Sequence, residues 1–159
     1  MREGGVQHLL LLIALDIALV ATCSVIAGIT APRWPDSWLE RDRGPLRTWG
    51  WETPARYRRL HVPWLTRVLP EAGALFGGES KSELPGTTAD ALAGYLVEVR
   101  RAEWVHWWSS ASALLTFAFN PWWLALGFTA VVLVVNGLFL LVLRNNRLRI
   151  ERILGRSTA

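Results

Sequence analysis

Residues 104 to 143 form a run of 40 positions without a single Asp, Glu, Lys or Arg. As one helix this run would extend about 60 Å, roughly twice the hydrocarbon thickness of a bilayer, so it has to turn back on itself. The break is legible at Asn120-Pro121. Proline has no amide to give a continuing helix, and it drives the residue before it out of the α region. The sequence therefore predicts a helical hairpin with arms at residues 104–119 and 122–143. The first arm has 16 residues, short for a full crossing, while the 22 of the second are ample.

Residues 4 to 32 carry only Asp16 as a charged side chain, which makes residues 6–29 a further candidate span. A polar middle segment, residues 33–101, and a tail, residues 144–159, complete the chain. The sequence thus reads as a single all-α integral membrane domain over its 159 residues, with about three transmembrane helices. One is N-terminal, and the other two form the C-terminal hairpin. With 52% hydrophobic residues and one cysteine, Cys23, a disordered or disulfide-stapled chain is excluded. Arg2 and the apolar stretch from Leu9 to Val20 also fit a secretory signal, although no A-x-A site follows and Val20-Ala21-Thr22-Cys23 is a poor lipoprotein cleavage site. Cleavage of the first span is left open. Asp16 at such depth calls for a protein or cavity partner, snorkelling or protonation.

Basic residues orient the molecule. Of 17 Lys and Arg, Arg2 precedes the first span, eleven lie between Arg33 and Arg101, and five follow the last span. The arrangement that gathers the sixteen has the middle segment and the C-terminus cytoplasmic, with the hairpin turn outside, in a multi-pass protein of the cell membrane. This basic charge beside membrane spans points to membrane lipids or phosphorylated substrates, not to nucleic acid.

The middle segment interleaves Trp34, Trp38, Trp49, Trp51, Tyr57 and Trp64 with arginines, as expected of a layer at the headgroup boundary. Its prolines and glycines divide it into short helices and turns. The stretch from Glu71 to Lys81 reads either as a loop over a site or as an ordinary surface connection, and it lacks P-loop spacing. From Thr87 the pattern becomes helical, with Thr87 or Thr88 as the cap and Asp90 in the first turn, running on into the first hairpin arm.

On that helix Glu98, Ala102, Glu103 and His106 fall within an arc of about 140° at 100° per residue, flanked by Arg100 and Arg101. A carboxylate three residues from an imidazole can fix its tautomer, which is the outline of a general base. Interfacial ion pairing is the plainer alternative. A second cluster ends the other arm: Asn136 within the span, then Arg144, Asn145, Asn146, Arg147 and Arg149. A stop-transfer cluster accounts for the arginines alone. Asn136, however, lies near the azimuth of Arg147, so a polar stripe descends into the apolar segment, and the hairpin brings it to the first cluster.

At these residues the sequence resembles the glycosyl-4,4'-diaponeurosporenoate acyltransferases, which catalyse the last step of staphyloxanthin synthesis. Glu98-Val99-Arg100-Arg101-Ala102-Glu103-Trp104-Val105-His106-Trp107 matches their E-x-[KR]-R-A-E-x-x-H-W segment. Asn136, Arg144, Asn146, Arg147 and Arg149 fall on N-x-P-x5-R-Y-N-R-x-R, with Leu138 for its proline, Asn145 for its tyrosine and Leu148 for a further proline. Weaker matches cover Arg33-Trp34-Pro35-Asp36 and Tyr57 to Pro70.

The resemblance implies transfer of a fatty acyl group to a sugar hydroxyl of a glycosylated carotenoid or related glycolipid. No bound cofactor is expected, and acyl-CoA or another acyl carrier is the expected co-substrate. His106 is the expected base, oriented by Glu103 or Glu98. Arg100, Arg101, Trp107, Asn136, Arg144, Asn146, Arg147 and Arg149 are the expected substrate-binding residues. No G-x-S-x-G elbow is present, and Ser109, Ser110 and Ser112 carry no triad signature, which favours direct transfer over an acyl-enzyme. A noncatalytic membrane subunit or carotenoid-binding or lipid-binding partner is the alternative. Glu103-x-x-His106 is half of a di-iron ligand set, but His8 and His61 lie on separate segments, so no metal is expected. Three short spans also leave room for a homo-oligomer.

Overall fold

The computed structural model describes residues 3–69 and 88–157, and within them the chain is helical without a strand. Helix α1 is Glu3–Thr30. The middle segment winds through three 3-10 turns, Ala31–Arg33, Asp36–Trp38 and Gly44–Leu46, into two short helices, α2 (Pro54–Arg59) and α3 (Val62–Val68). Helix α4 is Ala89–Ser112, continued by a 3-10 segment, Ala113–Ala118, and α5 is Trp122–Ser157. The expected loop from Glu71 to Lys81, with Pro70 and Thr87, lies outside the described residues.

The local signals explain the boundaries. Thr88 caps α4, its Oγ1 accepting from the Ala91 amide at 3.3 Å. Proline stands in the first turn of both α2 and α3, where its missing amide removes nothing from the helix. Asn120-Pro121 separates the 3-10 segment from α5, where the sequence reading puts the hairpin turn. The 3-10 stretch has a physical effect on the short arm. Six residues rising about 2.0 Å instead of about 1.5 Å lengthen it by about 3 Å.

Two stretches among the described residues are long and apolar enough to cross a membrane, Gly4–Arg33 and Trp122–Gly155. The third expected crossing, the arm at 104–119, is not shown as one continuous α-helix: it is the last part of α4 followed by the 3-10 segment. Both long helices expose large aliphatic side chains, Leu10, Leu11 and Ile17 on α1 and Val131, Leu133 and Val134 on α5. Helices in the core of a water-soluble protein bury such residues, whereas lipid accepts them. α1 meets the helical hairpin through two polar contacts, one at its turn and one on α4. Asp16, fully buried, accepts from Asn120 Nδ2 at 2.6 Å, and the Ser24 and Ser109 hydroxyls meet at 2.6 Å.

α4 and α5 lie antiparallel, with Leu92, Tyr95 and Val99 packed against Leu143 and Ile150. Nearer the turn the interface narrows to small residues, Ala113, Thr116, Ala125 and Thr129, all buried. The middle segment docks on another face of α5, where Tyr57 and Val62 close over Val142. α5 therefore supports both the helical hairpin and the short helices, and the polar groups of all three elements converge near Arg144.

Candidate functional site

Four guanidiniums organise the convergence. Arg144 Nη1 donates to Glu52 Oε1 at 2.7 Å, Nη2 donates to the Pro45 carbonyl, and Nε is 3.4 Å from Glu103 Oε2. Arg147 Nε is 3.4 Å from Glu103 Oε1, and its Nη1 is 3.5 Å from Asp42. Arg100 donates from Nε and Nη2 to Asp42 Oδ1 at 3.0 and 2.7 Å, and reaches Glu151 at 3.5 Å. Arg101 pairs with Glu98 one turn back and with Asp36 at 2.5 Å.

These bonds explain why the middle segment folds as it does. Glu52 accepts from the Trp49 amide at 2.6 Å and from the Tyr57 hydroxyl at 2.8 Å besides Arg144, so three donors meet one buried carboxylate. Burial raises the Glu52 carboxyl, but those three hydrogen bonds more than offset it and hold the group below the usual carboxylate range. Its charge in turn raises the Tyr57 phenol, together with the larger effect of burial. Glu103 differs. It is fully buried and burial pushes its carboxyl up to about 7, against the pull of Arg147 and Arg144. Neither of its oxygens makes a hydrogen bond among the described residues, and the same holds for all three guanidinium nitrogens of Arg147. The pair is in ionic contact with hydrogen-bonding capacity to spare.

One turn further along α4 the character changes from ionic to imidazole. His106 Nδ1 is 2.8 Å from Asn136 Oδ1, and the ring stacks on Phe139 with centroids 4.9 Å apart and planes 10° apart. The amide orientation follows from its other end. Asn136 Nδ2 donates to the Val132 carbonyl at 3.0 Å, an oxygen that can only accept, so Oδ1 must face the ring. Nδ1 consequently carries the hydrogen of the neutral imidazole, and Nε2 carries the lone pair. A histidine in that tautomer is a proton acceptor at Nε2.

The geometry brings most of the expected residues together and changes some of their relations. Neither Glu103 nor Glu98 hydrogen-bonds the imidazole. Glu98 is engaged by Arg101 and Glu103 sits between Arg144 and Arg147, while Asn136 holds the ring. The reason is competition, since an acid between two guanidiniums has charged partners that a neutral imidazole cannot match. Arg100, Arg101 and Arg144, expected to hold substrate, are engaged with carboxylates of the protein itself. Trp107 and Asn146 are half-buried beside His106 and Arg147, and Arg149 is exposed. Ser110 and Ser112 donate to backbone carbonyls within α4, and Ser109 meets Ser24.

The sequence reading missed Glu52, Asp42 and Tyr57 as members of the cluster. Its clue was the aromatic and basic stretch from Tyr57, which carried the resemblance without a role. The weakly matching Asp36 also finds its place, against Arg101.

A family model described as glycosyl-4,4'-diaponeurosporenoate acyltransferase matches residues 35–156, which takes in every residue of the charged cluster and the imidazole pair. No curated protein and no solved structure matches the chain.

Proposed function

We propose that this chain, which belongs to the glycosyl-4,4'-diaponeurosporenoate acyltransferase family, esterifies a sugar hydroxyl of a glycosylated carotenoid or related glycolipid with a fatty acyl group. The observation that carries the reading is the hydrogen bond from His106 Nδ1 to Asn136 Oδ1, because it leaves Nε2 as a base at the edge of a bilayer-spanning helix pair. Both substrates suit that location. A polyene and an acyl chain dissolve in lipid, while the sugar hydroxyl and the thioester carbonyl reach inward from the headgroups to the level of Asn136, about 12 Å inside Arg144 along α5.

The reaction is a direct transfer from a thioester. The sugar oxygen attacks the acyl carbonyl, a C–O bond forms, the C–S bond breaks, and the hydroxyl proton passes to His106 Nε2 and on to the departing thiolate. Asn136 positions the ring and stabilises the imidazolium that forms in between. Of the arginines expected to bind substrate, the exposed Arg149 retains donors for it, whereas Arg147 is fully buried against Glu103 and Asp42. The hydroxyls of Ser109, Ser110 and Ser112 are already bonded within the helices, which favours transfer without an acyl-enzyme.

The same reading has three crossings, with the arm at 104–119 as the second. The middle segment and the C-terminus face the cytoplasm, and acyl-CoA or another acyl carrier is the donor. Exposed Trp122 and Trp123 at the turn, and Trp49, Trp51 and Trp64 in the middle segment, suit two interfacial belts at the ends of α5. The test is reconstitution with a glucosylated carotenoid acid and a long-chain acyl-CoA, followed by lipid mass spectrometry. A product heavier by one acyl group, absent with His106→Ala of unchanged folding, supports the reading. A wild-type protein that transfers nothing to any glycosylated acceptor refutes it.

A further inference from the structure

α5 sorts its arginines by face. Arg144 and Arg147 turn inward and each meets a carboxylate, whereas Arg149 and Arg152 turn outward and, among the described residues, neither makes an ion pair. With Asn145 they occupy positions i, i+4 and i+7, one stripe of the helix. Arg58 of α2 faces the same stripe, and Pro54 and Pro63 close the sides of a groove of about 250 Å³. Among the described residues no acidic side chain lines it. Between α2 and α3, which carry Arg58 and Pro63, the left-handed backbone of His61 (φ 54°) makes the turn.

We propose that this groove binds a phosphate ester. Three guanidiniums that have no counter-charge among the described residues present planar donor forks that match phosphate oxygens, and Asn145 adds an amide donor. The volume admits one phosphate with its first linkages, too little for a nucleic acid backbone. The level is also right for it. Arg149 and Arg152 lie about 8 and about 12 Å beyond Arg144 along the helix, outside the last apolar turn of α5, where headgroup phosphates begin. The phosphate belongs either to a membrane phospholipid or to a soluble carrier, and both present the same chemistry to the groove. The proposal deepens the reading given under the proposed function, with which it shares Arg149, but its test reads phosphate binding and not acyl transfer, so either can fail without the other.

The full-length protein is compared with Arg58→Gln/Arg149→Gln/Arg152→Gln in two assays. Native mass spectrometry reads retention of phosphatidylglycerol against phosphatidylcholine, and calorimetry in phosphatidylcholine nanodiscs reads binding of inorganic pyrophosphate. Preferential retention of phosphatidylglycerol by wild type alone identifies a headgroup. Saturable pyrophosphate binding by wild type alone identifies a soluble phosphate ester. Affinity falls about tenfold for each guanidinium removed. Arg58→Gln by itself, at an exposed helix end, supplies the comparison if the triple variant does not fold. Wild type that prefers neither probe, or a folded variant that binds as wild type does, overturns the proposal.

Discussion

Asn136 holds His106 across the helical hairpin, Oδ1 to Nδ1 at 2.8 Å, with its own amide fixed by the Val132 carbonyl one turn away. A neutral acceptor in this position fixes the tautomer without adding a charge, so the basicity of Nε2 stays open to change by a single substitution. Asn136→Asp places a carboxylate against the ring and stabilises imidazolium. The acid limb of the kcat/KM profile for acyl transfer moves to higher pH, while Asn136→Leu lowers kcat with little change in KM. His106→Ala removes the proposed base and lowers kcat by about 10²- to 10⁴-fold.

The pair of Arg144 with Glu52 joins α5 to the middle segment inside the protein, with both side chains almost fully buried. Arg144→Met leaves Glu52 and Glu103 without their shared cation and destabilises the fold by about 3–5 kcal/mol. Arg144→Met with Glu52→Gln recovers part of this loss. Thermal unfolding in detergent, followed by tryptophan fluorescence, measures the difference.

Two carboxylates give the stability opposite slopes with pH. Glu103 is raised to about 7 in the fold, so its contribution is full below the ordinary value of 4.5 and is lost as the pH rises through about 7. Glu52 is lowered, so its contribution is present above its ordinary value and is lost as the pH falls through its folded one. The melting temperature therefore passes through a maximum in mildly acidic solution. Glu103→Gln flattens the alkaline side of that curve and Glu52→Gln the acidic side.

Asp16 is tied to the hairpin turn by Asn120 Nδ2. Asn120→Leu removes the partner of a buried acid side chain and weakens the packing of α1 on the hairpin, by about 1–3 kcal/mol for a buried polar group left unpaired. Asp16→Leu with Asn120→Leu restores much of it, and a double-mutant cycle on unfolding reads the coupling. An additive cycle would sink the assignment.

Single cysteines introduced in a Cys23→Ala background test the proposed orientation. Impermeant thiol reagents reach Arg152→Cys and Arg41→Cys from one side of sealed vesicles and Trp123→Cys from the other. Labelling of positions 41 and 152 from opposite sides would refute it.

What could be read from sequence was mainly local. The charge-free run and Pro121 mark the hairpin, Thr88 marks the start of α4, and the shared azimuth of Asn136 and Arg147 marks a polar stripe, because each depends on helical geometry or backbone chemistry nearby. Partner choice was not legible. Arg144 and Glu52 are 92 residues apart, and Asp16 and Asn120 are 104 apart, with nothing in periodicity to select one carboxylate or amide over another. The spacing of Glu103 and His106 permits a contact but does not decide it. Arg144 and Arg147 arrive from the other arm and take the acid, and Asn136, read as a substrate contact, becomes the group that holds the imidazole.

One continuous helix carries both Asn136 and Arg152, about 24 Å apart along its axis. A rod of this kind behaves as a ruler. Wherever the outer guanidiniums settle at the membrane surface, the imidazole is carried to a fixed depth beneath them. In the proposed reaction an acceptor is then chosen by reach, by whether its hydroxyl hangs at that depth when its polyene lies in the leaflet, and a sugar set on a longer stalk would miss the base without any steric clash.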